Sequence, residues 1–157
     1  MNLTVSFSWD GLVVFTLPML INIAYVLFPP VEKTEPAAVT RWVELVEQGS
    51  RMAYLLAVVL LVSRQPLALR SVWLYLAGGF LALYYAVWLR YFAGGRKTEL
   101  LRRAFLLVPL PLAVFPVLYY LCAAIWLHNV PAVIIMLIFD AAHITVSLQS
   151  FRKEENR

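Results

Sequence analysis

SVWLYLAGGFLALYYAVWLRYFA, residues 71–93, carries a single charge, Arg90, in an otherwise uninterrupted apolar and aromatic run. A helix needs about 20 apolar residues to cross a hydrocarbon core of about 30 Å, and this run is long enough. Barrel strands would alternate apolar with polar residues; this run is continuous, so it reads as a membrane helix. Gly94-Gly95 supplies a C-terminal stop.

Working outward, four more segments read the same way. One spans about residues 11–28 and stops at Pro29-Pro30. Another spans about 36–63, with Pro36 in the first turn after Thr34 or Glu35. The last two span about 98–127 and 129–152, the latter with Asn129 as N-cap and Pro131 in its first turn. The expectation is an all-α integral membrane protein: one transmembrane domain over 1–157, built as a five-helix bundle. Pro109, Pro111 and Pro116 remove three backbone donors, so the fourth helix is expected to be broken or kinked. The stretch before them mixes Arg102 and Arg103 with leucines and is expected to lie along the membrane interface.

Composition agrees. The chain is 62% hydrophobic and 14% charged, with a mean hydropathy of +0.78. Soluble domains are about half apolar and a quarter charged, and disorder needs low hydrophobicity, so both classes are excluded. The single cysteine, Cys122, excludes an internal disulfide and any multi-cysteine metal site. The net charge of +4 comes from basic residues clustered between apolar runs, which sets membrane orientation and does not point to nucleic acid. No Gly-rich phosphate loop, cofactor motif or metal-ligand spacing is present, so no cofactor and no metal are expected. No family motif is recognised.

Residues 1–10 hold no Lys or Arg, so the first apolar run is expected to be retained and not cleaved as a signal peptide. Eleven of the 13 basic residues fall on one side of the five expected spans; only Arg64 and Arg70 fall on the other. That asymmetry predicts a multi-pass protein of a bacterial cytoplasmic membrane, N-terminus outside and C-terminus cytoplasmic.

Polar groups inside spans are costly and are functional candidates by default. Glu44, Glu47, Gln48 and Arg51 share a face of the second helix. They read either as an interfacial stripe or as the wall of a cytoplasm-facing polar cavity. Asp140 and His143 stand three apart on the fifth helix, either as a structural pair or as part of a ligand or proton site. Asn22 and Tyr25 share a face of the first helix with Pro18, which frees a carbonyl one turn earlier. Tyr84 and Tyr85 are deep enough to stack on a ligand, and Arg90 could meet an anionic group. All these polar groups fall at or below mid-membrane, toward the cytoplasm. Gly78, Ala82 and Ala86 form a small-residue row that would let another helix, or a second copy of the chain, approach closely.

The function expected is binding or transport of a small polar or amphipathic ligand in a pocket built from Asn22, Tyr25, Glu44, Glu47, Gln48, Arg51, Tyr84, Arg90, Asp140 and His143. The alternative is an accessory subunit of a larger membrane complex. An intramembrane enzyme using Asp140 and His143 ranks last, because no nucleophile or cofactor motif accompanies them.

Overall fold

A computed structural model describes residues 3–31 and 40–155. The element order is β1 (Leu3–Val5), α1 (Trp9–Leu27), α2 (Arg41–Leu60), β2 (Leu61–Ser63), α3 (Val72–Ala93), α4 (Thr98–Arg102), α5 (Pro111–Trp126) and α6 (Val130–Glu155). The chain is thus almost wholly helical, with six helices among the described residues. Three of them, α1, α3 and α6, are long and apolar enough to cross a membrane. The expected start of the second helix at Pro36 lies outside the described residues.

Five long helices form a closed ring. Helix α1 packs on α2, α2 on α6, α6 on α5, α5 on α3, and α3 back on α1. At one end a two-stranded antiparallel sheet, β1 with β2, pairs Leu3 with Ser63 and Val5 with Leu61. This sheet is an addition to the all-α expectation. Leu61 to Ser63 reads in sequence as the end of the second helix, but a chain that leaves its helix can still satisfy its backbone by pairing with the N-terminal segment. Ser6 and Ser8 extend the pairing by donating to the carbonyls of Leu60 and Val59. Ser8 then caps α1, its Oγ accepting from the Gly11 amide at 2.9 Å. A Cβ on Gly11 would overlap the Val58 carbonyl oxygen, so glycine is what lets α1 lie directly on α2.

Pro18 sits inside α1 and cannot donate to Val14. The Tyr119 hydroxyl donates to that carbonyl instead, at 2.8 Å. Tyr120 donates to the next carbonyl, Phe15, at 2.9 Å, and Tyr54 donates to the Tyr120 carbonyl at 2.7 Å. Asn129 is 1% exposed and makes three bonds. Its Nδ2 donates to the Ala57 and Leu61 carbonyls at the end of α2, each at 2.8 Å, and its Oδ1 accepts from Ala132 in the first turn of α6 at 3.0 Å. One side chain therefore closes the end of one helix and caps the start of another.

The segment read from sequence as one helix over 98–127 is two helices, α4 and α5, separated by non-helical residues 103–110. Pro109 biases Val108 away from helical geometry, and Pro111 occupies the first turn of α5, where its missing N–H costs nothing. Between α4 and Pro109, Phe105 and Val108 exchange backbone hydrogen bonds of 3.1 and 3.0 Å around a two-residue turn. Both central residues are leucines with positive φ, Leu106 at 48° and Leu107 at 67°. Such a turn normally calls for Asn-Gly. Leu107 is fully exposed. The Arg90 guanidinium fastens this hairpin. It donates to the carbonyls of Leu100, Arg103 (2.7 Å) and Ala104 (3.2 Å) and lies 5.2 Å over the Phe105 ring. Helix α5 keeps only 16 residues, about 24 Å at 1.5 Å per residue, and the hairpin packs beside the Trp88–Tyr91 aromatic cluster at its start.

Candidate functional site

All five ring helices contribute to one central cavity of about 210 Å³. Helix α1 supplies Phe15, Met19 and Asn22; α2 supplies Arg51 and Tyr54; α3 supplies Tyr84 and Trp88. Helix α5 supplies Leu112, Pro116 and Tyr120, and α6 supplies Met136, Phe139 and His143. The spacing on each helix explains why these residues converge. Asn22 stands seven positions after Phe15, Trp88 four after Tyr84, and Met136, Phe139 and His143 follow at intervals of three and four, so each set shares a face.

The walls are mostly aromatic. The tyrosine hydroxyl protons are already engaged: Tyr54 on the Tyr120 carbonyl, Tyr120 on the Phe15 carbonyl, and Tyr84 on Asn22 Oδ1 at 2.8 Å. They therefore present ring faces to the space. Trp88 is 6% exposed, and its indole N–H is buried with no hydrogen-bond partner. An orphan buried donor is rare in folded proteins.

A charged cluster borders the cavity. Glu47, 5% exposed although it is a carboxylate, holds two partners on one oxygen. Its Oε1 is 2.8 Å from an Arg51 amino nitrogen and 2.9 Å from His143 Nδ1. An ionised carboxylate can only accept, so Nδ1 carries the proton, and the tautomer with a bare Nε2 follows for the neutral ring. The His143 ring stacks on Phe139 at 5.0 Å and 17°, and the Arg51 guanidinium lies 5.5 Å from the centre of the same Phe139 ring. The side chain of Arg51 is 39% exposed, so this corner is accessible to water.

Of the ten residues expected at a site, Asn22, Arg51, Tyr84 and His143 line the cavity, and Glu47 stands directly behind two of them. The others lie elsewhere. Tyr25 packs in the aromatic cluster, 5.2 Å from Trp88 and 5.8 Å from Tyr91. Glu44 and Gln48 are exposed on α2, Gln48 accepting a long 3.4 Å bond from Arg51. Arg90 is engaged with the hairpin carbonyls. Asp140 is half-buried and, among the described residues, makes no hydrogen bond. His143 therefore pairs with Glu47 across to α2, and the Asp140–His143 pair expected from sequence spacing does not form. The reason is rotational. Residues three apart stand about 60° apart on a helix, so a ring aimed at α2 leaves Asp140 turned aside.

Sequence reading missed Tyr54, Trp88, Tyr120 and Phe139. Two carried a signal: Tyr54 continues the Glu47–Arg51 face by three residues, and Phe139 precedes His143 by four. Trp88 and Tyr120 gave none, because aromatic residues in a membrane helix pack the core far more often than they line a site. No family model matches the chain, and neither a curated protein nor a solved structure matches it.

Proposed function

We propose that this chain is a five-span membrane protein that binds or transports a small polar or amphipathic ligand in the central cavity. The observation that carries the reading is the convergence of all five ring helices on one space that is aromatic on most sides and polar at one corner. A site of that composition suits a molecule with an apolar body and one polar end. The five-span reading draws support from the packing order. Helices α2 and α5, which are too polar or too short to qualify alone, each pack between two apolar helices: α2 between α1 and α6, α5 between α3 and α6. Polar groups are tolerated in a membrane where protein shields them. The kinked course of the fourth span corresponds to α4, the hairpin and α5. The orientation follows the basic residues, N-terminus outside and C-terminus cytoplasmic.

The test is a thermal-shift measurement on the full chain in nanodiscs with neutral, cationic and anionic small amphipathic solutes. At least one should raise the midpoint saturably, and Met136→Trp, which fills the cavity, should remove that rise. If no solute acts, or if Met136→Trp leaves the rise intact, the reading falls. Orientation is checked by cysteine labelling in intact cells. Ser6→Cys and His128→Cys should react from outside, and Lys97→Cys only after permeabilisation.

A second reading, self-association or an accessory role through α3, is favoured by one observation. Gly78, Gly79 and Ala82 are exposed, and a Cβ at either glycine would meet nothing within the chain. Gly78→Leu should then shift the particle toward monomer in cross-linking, leaving ligand binding unchanged.

A further inference from the structure

We infer that the cavity takes a compact, ring-sized molecule ending in one carboxylate, and takes it together with one proton on His143; this rests on the ligand-cavity reading above. The first argument is charge. Among the lining side chains the only permanent charge is the cation of Arg51. The carboxylate of Glu47 stands behind Arg51 and His143 and is not part of the wall. An ammonium ligand would therefore meet a like charge.

The second argument is donors. Among the described residues, Asn22 Nδ2 meets only the Met19 sulfur, at 3.9 Å. The Trp88 indole N–H is buried without a partner. The wall thus presents unpaired N–H groups and aromatic faces, which is what an anionic acceptor on an apolar body requires. The third argument is size. A cavity of about 150 Å³ holds benzene, and this one measures about 210 Å³, room for one ring and a short acidic group.

The proton follows from neutrality. Arg51 is already balanced by Glu47 at 2.8 Å, so an arriving carboxylate would leave the corner with one net negative charge in a low-dielectric setting. His143 can remove it. Its Nδ1–H is held by Glu47 at 2.9 Å, and its Nε2, with no hydrogen bond among the described residues, can take a proton from bulk water. The bound state then holds Arg51 and the imidazolium against Glu47 and the ligand, two charges of each sign. The titratable groups around His143 are Glu47 and Arg51 from α2, Asp140, which is turned aside on its own helix and makes no hydrogen bond to the ring, and Tyr120 of α5, which lines the same cavity with its hydroxyl on the Phe15 carbonyl. Helices α1 and α3 present no acid or base there other than Tyr84.

The test uses sodium benzoate as probe, with benzyl alcohol and benzylammonium as neutral and cationic counterparts. Calorimetry is run on the full chain in phosphatidylcholine nanodiscs, with empty nanodiscs subtracted, at pH 7 and 8 and in two buffers of different ionisation enthalpy. Benzoate should bind more tightly at pH 7 than at pH 8 and take up protons, with a factor of about ten per pH unit as the ceiling for one proton per ligand. Benzylammonium should not bind. Arg51→Gln should weaken benzoate about 10- to 100-fold, with Arg51→Lys intermediate, while benzyl alcohol still binds and so reports an intact cavity. His143→Gln should abolish the proton uptake. Equal binding of the three compounds would overturn the inference and leave the cavity reading standing. Benzoate binding that ignores Arg51→Gln, or that takes up no proton, would overturn it as well. Failure of all three compounds also overturns it, and the Met136→Trp thermal-shift result then decides separately whether the cavity binds anything.

Discussion

The two halves of the bundle solve the same problem differently. Toward the sheet end, the polar side chains in the core are bonded to backbone groups, two of them where a helix leaves such groups unsatisfied. Tyr119 covers the carbonyl freed by Pro18, and Asn129 joins the end of α2 to the start of α6. Toward the hairpin end, an indole N–H is orphaned, two leucines hold positive φ, a carboxylate is shared between a guanidinium and an imidazole, and a cavity is left open. The difference teaches where stability and capacity reside. Proteins concentrate strain and unsatisfied groups where something else is to be bound, and compensate with tight packing elsewhere.

The comparison breaks most visibly at Asn129. Asn129→Leu leaves the Leu61 carbonyl and one helix-terminal amide without their partner, while the Ala57 carbonyl keeps the Leu61 amide. It should lower stability by about 2 to 4 kcal/mol, read by denaturant unfolding in mixed micelles. An effect below about 1 kcal/mol would mean that the sheet end does not depend on this residue. Tyr119→Phe removes only one hydroxyl, and the cost should be about 1 to 3 kcal/mol because the Val14 carbonyl stays buried beside Pro18. The informative control is Tyr119→Phe combined with Pro18→Ala. Restoring the backbone donor should recover part of the loss, and simple additivity would show that the two sites are not coupled.

At the other end the sign reverses. Leu106→Asn with Leu107→Gly supplies the residues a turn with two positive φ values prefers, and should stabilise the chain in detergent by about 1 to 2 kcal/mol. A smaller gain in bilayers than in detergent would show that the leucines are rewarded by hydrocarbon. The smallest effect belongs to Asp140. With no hydrogen bond among the described residues to lose, Asp140→Asn should change stability by less than about 0.5 kcal/mol and leave ligand binding intact. A loss comparable to that of Tyr119→Phe would restore Asp140 to the site.

Part of this was readable in advance. Asn129 as a helix cap follows from its place between an apolar run and Pro131, and the interruption near Pro109 follows from missing donors, because both are local chemistry. The Glu47–Arg51 ion pair was also legible, since four residues on a helix fix the distance. What was not legible is the partner across the interface. His143 could have faced Asp140 or another helix, and the sequence spacing favoured the wrong neighbour. The strand pairing of Leu3 to Val5 with Leu61 to Ser63 was equally hidden, because it joins segments far apart in the chain and Leu61 to Ser63 reads as the end of a helix.

By itself the sequence determined the solvent. A chain so apolar, with helix-length runs and stops at Gly and Pro, has to bury its surface in lipid and bond its backbone within helices, whatever its partners. Only the tertiary structure decided which face of each helix turns inward. Hydropathy is nearly uniform around α1, α3 and α6, so no amphipathic stripe fixes their rotation as it would in water. Rotation is set instead by individual contacts: Gly11 against the Val58 carbonyl, Tyr84 on Asn22, and Glu47 on His143. Those contacts bring the cavity together, and each one depends on a helix that the sequence alone leaves free to turn.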